Sequence, residues 1–141
     1  MTTQQTAAAY KQYLEILSPE SLSDLCNYVT PEVHFADPFN DVHGITAMRH
    51  IFDVMFEAVS DIEFKVDRMA IDRDTALMAW AFTGELRGQP FKLEGMSRIT
   101  FDASGRVAAH IDHWDSATQF YIRLPVIGWL LSIVRRRAAV R

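Results

Sequence analysis

The chain has 141 residues, 49% of them apolar and 23% charged, a globular composition long enough for one compact domain with its own core. Fourteen basic residues face 18 acidic ones, and Arg135, Arg136, Arg137 and Arg141 hold four of the fourteen. Residues 1–134 therefore carry 10 basic against 18 acidic groups, a charge of −8, which argues against a nucleic-acid binder. The single cysteine, Cys26, excludes an internal disulfide and suits a reducing, cytoplasmic setting. Cys26 itself reads as a small buried residue on a helix. The N-terminal stretch "MTTQQTAAAY" has no basic region followed by an apolar run, so it does not read as a signal peptide.

"TAAAYKQYLEILS" predicts a helix, with Ala9, Tyr13, Ile16 and Leu17 at helical spacing and Tyr10 and Leu14 beside them. A second short helix follows in "SPESLSDLCNYV". Ser18 suits its cap, Pro19 its first turn, and Glu20 and Asp24 its early part. Pro31 breaks that pattern, and "EVHFAD" predicts a short strand. After Gly44, Ile45, Met48, Ile51, Phe52, Met55, Phe56 and Val59 recur at three- and four-residue intervals, an amphipathic helix. From Asp61 the period changes to two, with Ile62, Phe64 and Val66 alternating with charged residues. Three more strands follow: "TALMAWAFTGEL", apolar on both faces; "FKLEGMSRITFD"; and "RVAAHIDHWD". The turns "DRD", "RGQP" and "ASG" separate the four. Consecutive hairpins with helices on one face give an α+β architecture. The expected shape is a cone: a strongly curved antiparallel sheet wrapped by three N-terminal helices. Its narrow interior would be the ligand pocket.

Asp37 and Phe35 lie two apart on one strand and share a face. Asp37 is then either a desolvated base among apolar neighbours or the anchor of an Asx turn, since Asp-Pro and Asn-Asp are loop formers. In "AHIDHWD", His110, Asp112 and Trp114 share one face, while His113 and Asp115 point the other way. His34, His43 and His50 show no shared metal-ligand spacing, and there is no HExxH or Cys/His cluster, so no metal is expected. The glycines are scattered and form no phosphate loop, so no cofactor is expected either.

The helix–helix–strand–helix–four-strand order resembles the nuclear-transport-factor-2-like superfamily, which includes ketosteroid isomerase and SnoaL-like polyketide cyclases. The resemblance spans about residues 8–122. "YLEILSPESLSDLCNYVTPEVHFADP" is similar, without a gap, to the isomerase pattern. That similarity implies an oxyanion-binding tyrosine at Tyr13 and a base at Asp37, just before Pro38. Through "TFDASGRV" and "HWD" it also implies a pocket tryptophan at Trp114. Counting back from "FD" at 101–102 puts Ser97 where isomerases carry a second, protonated acid. In SnoaL-like cyclases an acid on a late strand acts as the base, which makes Asp112 a rival to Asp37, with His110 there either to hold a proton or to orient Asp112. Phe35, Phe52, Met55 and Trp80 would complete a lining for a small hydrophobic molecule. The resemblance further implies a homodimer. The function it implies is a cofactor-independent isomerase or cyclase working by proton transfer on a hydrophobic carbonyl compound. The alternative is a ligand carrier that keeps the pocket without catalysis.

Residues 1–124 form the expected domain and 125–141 an apolar–basic helical tail. "VIGWLLSIV" is too short to span a bilayer. It is expected to pack on the domain or on a partner copy, in preference to anchoring on a membrane surface through the arginines.

Overall fold

The computed structural model describes residues 1–120 and 125–139. Helix α1 spans Thr3–Glu15 and a 3₁₀ helix spans Glu20–Asn27. Strands β1 (Val29–Ala36) and β2 (Asp41–His43) precede helix α2, Ile45–Ala58. Strands β3 (Val59–Asp72), β4 (Thr75–Leu86), β5 (Gln89–Phe101) and β6 (Val107–Trp114) follow. They lead to α3 (Ser116–Gln119) and α4 (Pro125–Ala138). The six strands make one strongly curved, unclosed sheet in the order β2-β1-β6-β5-β4-β3.

The α+β cone is as the sequence predicts, with four differences. The sheet is not wholly antiparallel: β1 runs parallel to β6, with Phe35 opposite His110. Strand β1 starts at Val29, ahead of Pro31. It tolerates the missing amide because its pairing with β6 shifts register between Val29 and His34. The second helix is 3₁₀, with Ser18 Oγ accepting the Ser21 amide at 3.2 Å. Cys26 on that helix is exposed, because its buried positions are Leu22 and Leu25.

Turn chemistry fixes the long hairpins. Arg87 and Gly88 both take positive φ, 54° and 77°, the pattern of a tight turn whose twist matches the strands it joins. Helix α1 buries Thr6, Ala7, Tyr10, Tyr13 and Leu14. Its core stripe is thus centred on Tyr10, while Ile16, counted into the stripe by spacing, caps the helix and is exposed. Glu15 ties the helix to the sheet. Its Oε2 accepts the Val66 amide at 3.0 Å and its Oε1 the Lys11 ammonium at 2.8 Å. The Val66 amide lies on β3, an edge strand of the sheet, beside a shift in the β3–β4 pairing between Val66 and Arg68.

The concave face of the sheet packs Val66, Met78, Trp80, Ile99 and Phe101 against α1, Leu25 and Met48. Side chains buried this fully stabilise the fold by about 1.5–3 kcal/mol each relative to exposure. Gly95 is required by close approach. A Cβ there would lie 2.7 Å from Trp80 Cζ2 and 2.8 Å from Trp114 Cβ. Its register partners are Trp80 on β4 and Trp114 on β6. The glycine is the gap across which the two indoles sit.

The 124/125 boundary of the predicted tail borders residues 121–124, which lie outside the described residues. Helix α4 buries Gly128 but leaves Trp129, Leu130 and Val134 exposed. No helix among the described residues is long and apolar enough to cross a membrane.

Candidate active site

Strand alternation puts His110, Asp112 and Trp114 of β6 on the concave face, and register puts Ser97 of β5 directly opposite Asp112. These positions lie beside a packed core, so each polar atom must find a partner. They do so as one chain of hydrogen bonds. Tyr10 Oη lies 2.8 Å from His110 Nδ1, and His110 Nε2 lies 2.9 Å from Asp112 Oδ1. Ser97 Oγ donates to the same Asp112 oxygen, and Trp80 Nε1 donates to Ser97 Oγ at 2.8 Å.

The direction of each bond follows from the chemistry of the groups. The indole only donates, so the serine oxygen accepts it and the serine proton goes to Asp112. The carboxylate only accepts, so His110 carries a proton on Nε2. The buried Tyr10 hydroxyl then has one acceptor for its proton, the bare Nδ1 of His110. Burial holds the Tyr10 hydroxyl well above the ordinary tyrosine range, and the Asp112 charge adds to this, so it stays a neutral donor.

Asp112 is where the chain opens. Its side chain is 19% exposed, against 4% for His110. Oδ1 takes both donors, and Oδ2 has no hydrogen-bond partner among the described residues. No buried side-chain nitrogen or oxygen among them lacks a partner, so Oδ2 is an atom that solvent reaches. Asp112 lines an open cleft of about 490 Å³ together with Ala36, Asp37, Pro38, His113 and Trp114.

Asp37 reaches this cleft with its carboxylate already engaged. Oδ1 accepts the amides of Phe39 at 2.8 Å and Asn40 at 2.7 Å, and the Asn40 side-chain amide bridges both oxygens. This is the Asx turn, and it holds Phe39 edge-on to Trp114 with ring centroids 5.4 Å apart. Asp37 thereby shapes the aromatic rim of the cleft.

The remaining predicted residues separate into those behind the cleft and those away from it. Ser97, His110 and Trp80 stand behind Asp112 in the polar chain. Phe35 packs on the His110 ring at 5.1 Å and on Phe52 at 5.6 Å, as core. Met55 is half-buried on α2 and is not among the residues lining the cleft. Tyr13 stacks on Tyr28 and gives its hydroxyl proton to the Ser21 carbonyl at 2.9 Å. Burial, then the Asp24 charge, pushes that hydroxyl up to about 12. Tyr10, one helical turn earlier, is the tyrosine that meets the site. The signal for it was its place beside the apolar stripe of the first helix.

Comparison with known proteins gives the same frame. Residues 10–110 match the SnoaL-like domain family. The chain is 26% identical over 117 residues to the cyclase aurE of Calcarisporium arbuscula, covering 77% of this chain and 86% of that protein. An NTF2-like protein from Burkholderia thailandensis superposes with a TM-score of 0.72 at 18% identity, covering 82% of this chain and 92% of the other. A putative SnoaL-like polyketide cyclase from Jannaschia superposes with a TM-score of 0.70 at 16% identity, covering 99% and 93%. With its cone, its element order and the domain match over residues 10–110, the chain belongs to the SnoaL-like family and has the NTF2-like fold.

Proposed function

We propose that the chain is a cofactor-independent enzyme of the cyclase type, acting by proton transfer on a small hydrophobic carbonyl compound at the cleft, with Asp112 as the general base. The observation that carries this reading is the division of the Asp112 carboxylate. Ser97 and His110 hold Oδ1, and Oδ2 is left to solvent and substrate. A base must be both fixed in direction and open at the reacting atom.

The step balances without an oxidant or reductant. Asp112 Oδ2 takes a proton from a carbon beside a carbonyl, and the C–H electron pair becomes an enolate. In a cyclisation the enolate carbon attacks a second carbonyl of the same molecule, forming a carbon–carbon bond and an alkoxide. The alkoxide then recovers the proton from Asp112. In an isomerisation the proton returns to a different carbon. Trp114 and Phe39 supply an apolar rim for such a substrate.

Cyclase chemistry is favoured over steroid-type isomerisation on two grounds. The isomerase-like arrangement needs a tyrosine hydroxyl and a second acid, whereas Tyr13 is bonded to Ser21 and position 97 is a serine. The similarity to the cyclase aurE supports the same side. The second reading, a ligand-binding module, rests on the polar chain being complete without a substrate.

Turnover across a panel of polyketide-type, terpenoid and steroid ketones tests this. Asp112→Asn keeps shape and removes the acceptor. It should lower kcat/KM by about 10²–10⁴-fold, the usual share of general acid–base catalysis. Asp37→Asn should cost less. The reverse ranking would make Asp37 the base. Measurable affinity without any wild-type turnover would favour the binding module.

A further inference from the structure

The opposite face of the β1–β2 hairpin holds a second group of chemically able side chains. Phe35 and Val42 are register partners and pack into the core. By alternation, His34, Asp41 and His43 stand on the outer face, separated by the sheet from Asp112. His34 and His43 are themselves register partners, and Asp41 lies two residues from His43 on the same strand. That is the placement in which three side chains of one sheet face converge. The two imidazoles stack with centroids 4.4 Å apart and planes 12° apart. His34 Nε2 lies 2.6 Å from Asp41 Oδ1. One ligand atom from each of the three residues lies within 4.8 Å of the others.

We propose that His34, Asp41 and His43 form a surface site for a borderline divalent metal ion of the zinc class, with water completing the coordination shell. Two imidazoles and one carboxylate are a donor set such ions accept. Bonds of about 2.0–2.1 Å at tetrahedral angles put ligand atoms about 3.3 Å apart. The 2.6 Å His34–Asp41 contact must open slightly, and the third ligand must close in. The side chains have the freedom for this, since His34 is 35% and Asp41 72% exposed, and His43 is exposed as well. Linear spacing gave no sign of the site because the residues meet across a hairpin. A bound ion would cross-link β2, a three-residue edge strand paired among the described residues only with β1, to its neighbour. It would thereby hold the hairpin whose turn carries Asp37 and Phe39.

The test is calorimetric titration of the chelator-stripped full chain with zinc alone, and with cobalt(II) followed by its visible spectrum. The expected result is one ion per chain and a four-coordinate cobalt spectrum. His34→Ala and His43→Ala should each weaken binding at least about tenfold, and His50→Ala, another exposed histidine, should leave it unchanged. Asp41→Asn, a shape-preserving change at an exposed position, should also weaken binding. Zinc should increase hydrogen-exchange protection of residues 33–44 in the wild type but not in His43→Ala. Binding unchanged by removing both His34 and His43, or no stoichiometric binding by the wild type, overturns the site.

Discussion

Tyr10→Phe isolates one bond of the polar chain. The ring stays where it is, since Tyr10 is 1% exposed and its aromatic neighbours Tyr13, Tyr28 and His110 remain. Only the hydroxyl that donates to His110 Nδ1 is lost. His110 cannot adapt by moving its proton, because Nε2–H is needed at Asp112. Doubly protonated, it would bury an Nδ1–H with nothing to accept it. Either way one polar atom at a 3% exposed residue is orphaned, which costs about 1–3 kcal/mol. For a domain of this size each kcal/mol corresponds to about 3–5 °C in Tm. Urea and thermal unfolding should both register the loss with an unchanged urea slope. Tyr13→Phe serves as the control. Its hydroxyl meets the partly buried Ser21 carbonyl in the first turn of the 3₁₀ helix, and its loss should cost about 0.5–1.5 kcal/mol. A Tyr10→Phe protein within experimental error of wild type, or one less affected than Tyr13→Phe, would refute the directed-chain account.

Gly95→Ala should destabilise by about 1–3 kcal/mol through overpacking and alter the near-UV circular dichroism of the tryptophans, since the new methyl meets both Trp80 and Trp114; an unperturbed spectrum would contradict the close approach. Glu15→Ala should cost about 1–2 kcal/mol by orphaning the Val66 amide, and Glu15→Gln, which still offers an acceptor, should restore most of it in urea titrations. Alkaline pH should unfold the protein through its tyrosines. Tyr10 and Tyr13 are held above the ordinary value of 10.0, Tyr13 to about 12, so the contribution of each is complete below pH 10, and that of Tyr13 is lost as pH rises from there through about 12. Urea midpoints should therefore fall over that window, and less steeply in Tyr13→Phe.

The parts of the fold that depend on local chemistry were legible in the sequence. The α2 stripe, the period change near Asp61 and the Arg87–Gly88 turn each follow from a few neighbouring residues. What depends on distant pairing was not. The parallel contact of β1 with β6 joins segments about 75 residues apart, and no periodicity encodes it. Strand β2, three residues long, is too short for alternation to register. The site shows the same division. Alternation alone put His110, Asp112 and Trp114 on one face. The choice between Tyr10 and Tyr13 turned on helix rotation, because both belong to the buried side and only one meets His110. Asp37 carried two meanings from the start, and its bonds to Phe39 and Asn40 express the turn-forming one.

The polar chain also explains why Asp112 can sit so near a core without being sealed into it. A fully buried carboxylate would need donors for both oxygens, or it would carry a desolvation cost of several kcal/mol. Here Ser97 and His110 serve one oxygen, and each is itself supplied from behind, by Trp80 and Tyr10. Both supplies are one-directional, since an indole N–H and a buried neutral phenol have their protons to give. The chain therefore directs its donors towards Asp112 from two sides and ends there. Removing Trp80 or Tyr10 touches no atom that a substrate would meet, yet it loosens the group that would touch it. With Asp112 as the proposed base, Trp80, Ser97, His110 and Tyr10 are its positioning residues. On the proposed reading, the reactive capacity of the cleft rests on the one carboxylate oxygen they leave open.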